Sequence, residues 1–331
     1  MNINEIARLS GVSRATVSRY LNNGYVSEEK KAVIRQVIEE TGYQPSSQAQ
    51  TLRTKKTKLV GVILPKINSD TISREVEGIS SVLTAQGYQM ILANTSNSLE
   101  EELKYLSLFK DNQVDGVIFL ATMFTKKHKQ MLKEYKVPIV ILGQRLSGYP
   151  CIYQDDFQAA QMMMETLLET GRKAAYIGIT CKDEAVGIQR KKGVEAAFAE
   201  RRISLPKGCV EEGDFSIQAG YDAAKRLFER TPDIDTLMCA TDTMAVGAMA
   251  YIKEIGLEIP RDVQVAGMGD GNLGSIVEPK LSTIRFSYRI SGIEAAKLLA
   301  ELIAYPEGVH KEIKMGCELV LRGSHREKGA E

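Results

Sequence analysis

Cysteine and histidine are scarce in this chain, and their spacing removes two classes of protein at once. Cys151, Cys181, Cys209, Cys239 and Cys317 are odd in number and form no C-x-x-C pair. With only three histidines besides, neither a disulfide framework nor a zinc site is expected. Long apolar runs are missing too: nothing approaches the roughly 18 uncharged apolar residues of a membrane span. The opening MNINEIARLS has no basic-then-apolar leader, so the expected compartment is the cytoplasm. The motifs of nucleotide and hydrolase chemistry are also wanting. No G-x-G-x-x-G follows the first apolar run, and there is neither a Walker phosphate loop nor a G-x-S-x-G elbow. His128, His310 and His325 sit in polar or tail contexts without an evident nucleophile. An enzyme is therefore not expected, and no cofactor is implied.

What is present is length enough for two or three domains: 331 residues, 44% apolar and 26% charged. The net charge of +1 hides an asymmetry. Residues 1–58 carry ten Lys or Arg against five acids, whereas the remainder carries 33 against 37. A small basic piece on a larger acidic body suggests that one end meets a polyanion.

In the basic piece, Ile6, Ala7 and Leu9 put apolar groups on one side of a short helix beginning near Asn4. Gly11 interrupts it, and Ser13 is a good N-cap for a second helix to about Leu21. Val12 and Val17 would pack inward, leaving Arg14, Ala15, Thr16, Ser18 and Arg19 outward. Ser27 then caps a third helix whose core-facing candidates are Ala32, Val33, Ile34, Val37 and Ile38. Helix, glycine turn, helix is the pattern whose second helix enters the major groove. Arg pairs with guanine there, and Ala touches a thymine methyl.

The run Ile6-Ala7-x-x-x-Gly11-Val12-Ser13-x-x-Thr16-Val17-Ser18-Arg19-x-Leu21-Asn22 resembles the headpiece of the LacI family of transcription regulators. So does Val26-Ser27 followed by Gly42-Tyr43-x-Pro45. The resemblance implies a DNA-contacting set of Ser13, Arg14, Ala15, Thr16, Ser18, Arg19, Asn22 and Tyr25. It also implies that residues 46–58 form a hinge helix on DNA, with Leu52 wedged into the minor groove and Ala49 against its symmetry mate. Ser46 and Gln50 depart from the Asn and Arg usual in the family. The operator would be near-palindromic and the protein a homodimer.

From Lys58 onward apolar runs alternate with amphipathic segments. LVGVILP, YQMILANT, DGVIFLAT and PIVILGQ read as buried parallel strands, as do KAAYIGIT, TLMCAT and DVQVAGMG further on. This predicts an α/β protein with two doubly wound lobes and a ligand cleft beyond the carboxyl ends of the strands. The family resemblance covers the whole region and implies three chain crossings, near Asp156, Arg285 and Ile313. The expected organisation is a headpiece at 1–45, a hinge at 46–58 and an effector domain at 59–331. One lobe would comprise about 59–156 and 286–313, the other about 157–285 and 314–323.

By the same resemblance the effector site takes Arg190, Phe215, Thr241, Asp242 and Asp270, with Asp155 from the strand-end pair Asp155-Asp156. Taken without the resemblance, Arg190 in an RKK run reads as a solvated helix face, Asp242 as a helix cap and Phe215 as a core residue. Gly269 stands where the family often has a carboxyl or amide group. Details such as CATDT-x-A-x-GA and AVGIQRKKG are similar to the sucrose and trehalose repressors of the family. They imply a sugar or sugar-phosphate effector, with Lys66 and Arg145 as candidate phosphate cations. Rival readings are a periplasmic-type sugar receptor, a sugar-acting enzyme, or a family member that answers to a nucleobase or a phosphoprotein corepressor.

Overall fold

The computed structural model describes residues 1–22, 24–43, 56–111 and 114–328. The chain divides into two compact units, Met1–Lys58 and Leu59–Glu331. Ala49 and Leu52 lie outside the described residues.

The first unit is three helices: α1 (Ile3–Leu9), α2 (Arg14–Leu21) and α3 (Glu28–Thr41). Asn2 and Glu5 close a capping box on α1, so it starts slightly before the expected point. Gly11 adopts φ +64°, a left-handed turn that costs glycine little. The Ser13 side chain accepts from the amide of Thr16 and caps α2. Ser27 precedes α3 but makes no side-chain cap bond, contrary to expectation. Ile6, Ala7, Val17, Ile34 and Val37 form the core. Leu9, Ala32 and Val33 are exposed instead, because their positions on the helices turn them off the shared seam.

The second unit holds two parallel sheets. The first comprises β1 (Leu59–Leu64), β2 (Gln89–Asn94), β3 (Gly116–Leu120), β4 (Ile139–Leu142), β5 (Cys151–Gln154) and β11 (Glu312–Met315). Their order is β11-β5-β4-β3-β1-β2. Strand side chains alternate between faces. Val60, Val62, Ile118 and Val140 meet α4 (Asp70–Ala85) and α12 (Tyr288–Ala304) on one face. Ile63, Val117, Phe119 and Ile141 meet α5 (Leu99–Lys110) and α6 (Lys126–Lys133) on the other. Burial of both faces explains why β1, β3 and β4 read as continuous apolar runs; the edge strand β2 keeps Ile91 and Leu92 exposed.

The second sheet, in order β7-β6-β8-β9, is built from β6 (Ala174–Ile179), β7 (Val210–Gly213), β8 (Thr236–Cys239) and β9 (Gln264–Ala266). It packs α9 (Ile217–Arg230) and α10 (Asp242–Glu254) on one face, and the short α11 (Asn272–Ile276) follows β9. On the other lie α7 (Asp156–Leu167) and α8 (Arg190–Glu200). A ribbon of β10 (Thr283–Phe286) and β12 (Cys317–Val320) completes this lobe.

The chain passes between lobes at Asp155, Ser287 and Gly316. Each lies within three residues of the position expected near Asp156, Arg285 or Ile313, and strand pairing sets the last two. Phe286 pairs with Cys317 in the second lobe. Met315 still pairs with Gln154 in the first, which moves the third crossing beyond Ile313.

Candidate functional site

Between the lobes lies a cleft of about 1030 Å³. Its walls are the segments just after the strands: Pro65 and Lys66 after β1, Thr122 after β3, Gln144 after β4, Asp183 after β6, Phe215 after β7 and Thr241 after β8. Parallel strands of one sheet all end at the same edge, so the topology alone gathers these loops.

Arg190 opens α8 directly after a π-helical turn, Glu184–Gln189. It lines the cleft yet is only 4% exposed. Its Nε donates to Asp156 Oδ1 at 2.7 Å, its Nη1 donates to the Ala240 carbonyl, and the guanidinium lies 5.1 Å from the Phe286 ring centre. Burial pushes the Asp156 carboxyl up, and the adjacent Arg190 opposes that shift. A buried, planar donor fork held on two sides is a rigid platform for ligand oxygens. Thr241 caps α10 by accepting from the Met244 amide, and Asp242 is buried in the first turn of that helix. Asp242 accepts from Thr283 Oγ1 at 2.5 Å and from the Gly271 amide at 2.6 Å. Burial raises it to about 6. Phe215 lines the cleft with the Lys66 ammonium 5.2 Å from its ring centre, a cation–π contact from one lobe to the other.

Three expected residues are placed elsewhere. Arg145 and Asp155 line a neighbouring cavity of about 700 Å³ that shares Gly143, Gln144, Gln154, Asp156 and Ala185 with the cleft. There Arg145 pairs with Glu312 at 2.7 Å and Asp155 with Lys314 at 2.6 Å. Of the acidic pair, it is Asp156 that enters the cleft, because Asp155 caps α7. Asp270 is turned away: its carboxylate takes Arg285 at 2.6 Å and Arg322 at 2.5 Å. Its neighbour Gly269 has φ +135°, where a side chain would be strained, and this accounts for the glycine at that position.

Sequence reasoning missed Glu75, Gln144, Gln154, Asp183 and Tyr288, all of which line the cleft. Glu75 sits mid-helix in α4, where a lone acid in an amphipathic pattern reads as surface. It is 6% exposed, and burial raises its carboxyl to about 8. His128 also departs from expectation: it is buried at the start of α6, stacked near Phe119, with Nε2 3.2 Å from Glu102 Oε2.

In the first unit, Arg14, Ala15, Arg19, Asn22 and Tyr25 are exposed, Tyr25 at 89%, while Thr16 and Ser18 are half-buried. Ser13 and Thr16 bond to each other at 2.9 Å.

A three-helix unit with an exposed second helix, followed in the chain by two parallel-sheet lobes around a cleft, is the architecture of a DNA-binding regulator with a ligand-binding domain. The chain belongs to the LacI family. Residues 2–46 match the bacterial regulatory proteins of the lacI family, and residues 57–322 match the periplasmic binding proteins and sugar binding domain of the LacI family. It is 31% identical to the sucrose operon repressor of Staphylococcus xylosus, over 92% of this chain and 94% of that protein. It is 30% identical to catabolite control protein A of Priestia megaterium, over 91% and 92%. Among solved structures it resembles the transcriptional regulator CelR in its cellobiose complex, at 27% identity and a TM-score of 0.75, covering 98% and 99% of the two chains. It shares the fold of the lac repressor dimer at 23% identity and a TM-score of 0.89, covering 98% of each. The protein is thus a transcription regulator with a sugar-binding domain, and its relatives are regulators rather than enzymes. Among the described residues no helix is long and apolar enough to cross a membrane.

Proposed function

We propose that the protein is a cytoplasmic homodimeric repressor of a carbohydrate-utilisation operon, released from a near-palindromic operator when a disaccharide-sized sugar binds the cleft. The observation that carries this is Arg190, buried and braced by Asp156 yet lining a cleft with the aromatic face of Phe215 opposite Lys66. Donor forks and apolar ring faces are what a sugar offers partners for: hydroxyls at its rim and C–H groups on its faces. Sucrose and trehalose are the templates, since the sucrose operon repressor is a relative. Their 6-phosphates fit less well, because Arg145 lies outside the cleft and the carboxyls lining it outnumber Lys66 and Arg190.

In this reading Arg14, Ala15 and Arg19 of α2 read the major groove, while Ser13, Thr16, Ser18, Asn22 and Tyr25 position the helix. Residues 46–58, with Ala49 and Leu52, engage the minor groove only while the cleft is empty. Effector and operator then oppose each other reciprocally. The experiment is a fluorescence-anisotropy titration of the full chain on operator DNA, selected from random duplexes, with each sugar added in turn. Release by one of them, lost in Arg190→Ala, supports the reading. Tighter DNA binding on sugar addition would replace induction by corepression.

A further inference from the structure

Among the acidic side chains lining the cleft, two are matched by arginine: Asp70 by Arg74 at 2.8 Å and Asp156 by Arg190 at 2.7 Å. Lys66 has Asp214 as its neighbouring charge. Glu75, Asp183 and Asp242 remain without an ion-pair partner among the described residues. Asp183 is satisfied by hydrogen bonds from Gln144 and from the Val186 amide, and Asp242 by Thr283 and Gly271. Glu75 has neither ion pair nor side-chain hydrogen bond among the described residues, although it is buried to nine-tenths and borders the cleft.

A second observation points the same way. Gln154 spends its Nε2 on Ser291 Oγ at 2.8 Å, and Gln144 spends its Nε2 on the Thr122 carbonyl and Asp183. The Oε1 atoms of both amides are buried without a partner among the described residues, on side chains that line the same cleft. Lys66 and Arg190 offer donors to ligand oxygens, whereas Glu75 leaves a carboxyl in the same cleft without a counter-charge among the described residues. An ammonium brings three donors, no acceptor and a positive charge, whereas a phosphate brings only acceptors and negative charge.

We propose that the effector is a carbohydrate bearing a protonated amine, with the ammonium seated on Glu75. This rests on the carbohydrate reading of the cleft and departs from sucrose and trehalose in charge while keeping their size. Glu75 becomes the specificity-determining residue. The burial that disfavours its ionised form is offset when a ligand supplies the counter-charge that none of the described side chains does.

The test is calorimetry on the full chain at neutral pH, comparing the fully deacetylated disaccharide of glucosamine with cellobiose. Cellobiose has the same linkage and ring positions but hydroxyls in place of the amines. The expected result is binding of the diamine at least about tenfold tighter, a preference of roughly 1.4 kcal/mol that Glu75→Gln erases. Diamine binding no tighter than that of cellobiose overturns the assignment, and so does a preference that survives Glu75→Gln. The wild-type comparison decides the first point even if the variant folds poorly. Operator release by sucrose or trehalose without diamine binding overturns the amine and leaves the carbohydrate reading intact. Silence of every sugar overturns both.

Discussion

Gln144 of the first lobe donates from Nε2 to Oδ1 of Asp183 in the second, at 3.2 Å, and the same Nε2 also reaches the Thr122 carbonyl. The acceptor is a carboxyl raised to about 6 by burial, so near neutral pH it is largely ionised and the bond is charge-assisted. Bonds of this kind contribute about 1.5–3 kcal/mol. Gln144→Leu removes this link between the lobes, and about tenfold weaker effector binding is expected, with the headpiece's intrinsic affinity for DNA untouched. Calorimetry and an operator titration measure the two separately; equal losses in both would contradict a role confined to the cleft.

Arg190 and Asp156 are both buried, with side-chain exposures of 5% and 4%. Removing either strands the other, at a cost of about 3–5 kcal/mol. Arg190→Met should therefore lower the urea midpoint strongly, and combining it with Asp156→Leu should recover most of the loss. A double variant no better than the single one would mean that Arg190 stabilises mainly through the Ala240 carbonyl and Phe286.

The pH dependence of stability carries the signature of Glu75. Its folded pKa, about 8, lies above the ordinary carboxyl value of 4.5, so the folded state holds a proton that the unfolded state has released. Stability from this group is greatest below the unfolded value and falls as pH rises, by at most about 1.4 kcal/mol per pH unit. Asp183 and Asp242 act in the same direction but only up to about pH 6. Asp156, raised by its burial, acts in the same direction, so Glu75→Gln should lessen the decline between pH 6 and pH 8 by the share that Glu75 carries. Parallel curves for variant and wild type in chemical denaturation would refute the assignment.

Helices α4 and α12 cross where glycine is obligatory. A Cβ on Gly292 would stand 2.1 Å from the Glu75 carbonyl oxygen, and one on Gly78 2.1 Å from that of Arg289. Both obstacles are backbone, so the helices would have to part. Gly292→Ala should cost about 1–3 kcal/mol and weaken effector binding by displacing Glu75. An unchanged denaturation midpoint would show that the crossing has slack.

For the headpiece, Arg14→Ala or Arg19→Ala should weaken operator binding by about 1–3 kcal/mol and relax preference at one base pair per half-site. Selection from a randomised operator library reads this directly. A uniform loss across sequences would reassign that arginine to phosphate contact.

Much of this architecture is legible in the sequence alone. The three helices of the headpiece follow from Gly11, Ser13 and the spacing of Ile6, Val17, Ile34 and Val37. The strands β1, β3 and β4 were visible because burial on both faces demands unbroken apolar runs, whereas the edge strand β2 shows such a run with Ile91 and Leu92 exposed. The motif residues Arg190, Phe215, Thr241 and Asp242 do line one cleft. Short strands such as β5, β7 and β11 carry too few residues to show a period.

What the sequence determined, then, was much of what local spacing sets: the Gly11 turn, the Ser13 cap and the alternation that makes two parallel lobes. The tertiary structure decided which charges face one another. Asp155 and Asp156 are adjacent in the chain, but the start of α7 sends one to Lys314 and the other to Arg190. Asp270 carries a motif position yet is claimed by Arg285 and Arg322. Glu75 looks like any surface acid until α12 packs across its helix and seals it into the cleft wall. Desolvation and pairing depend on groups distant in sequence, so the character of the site emerges only when the lobes are assembled.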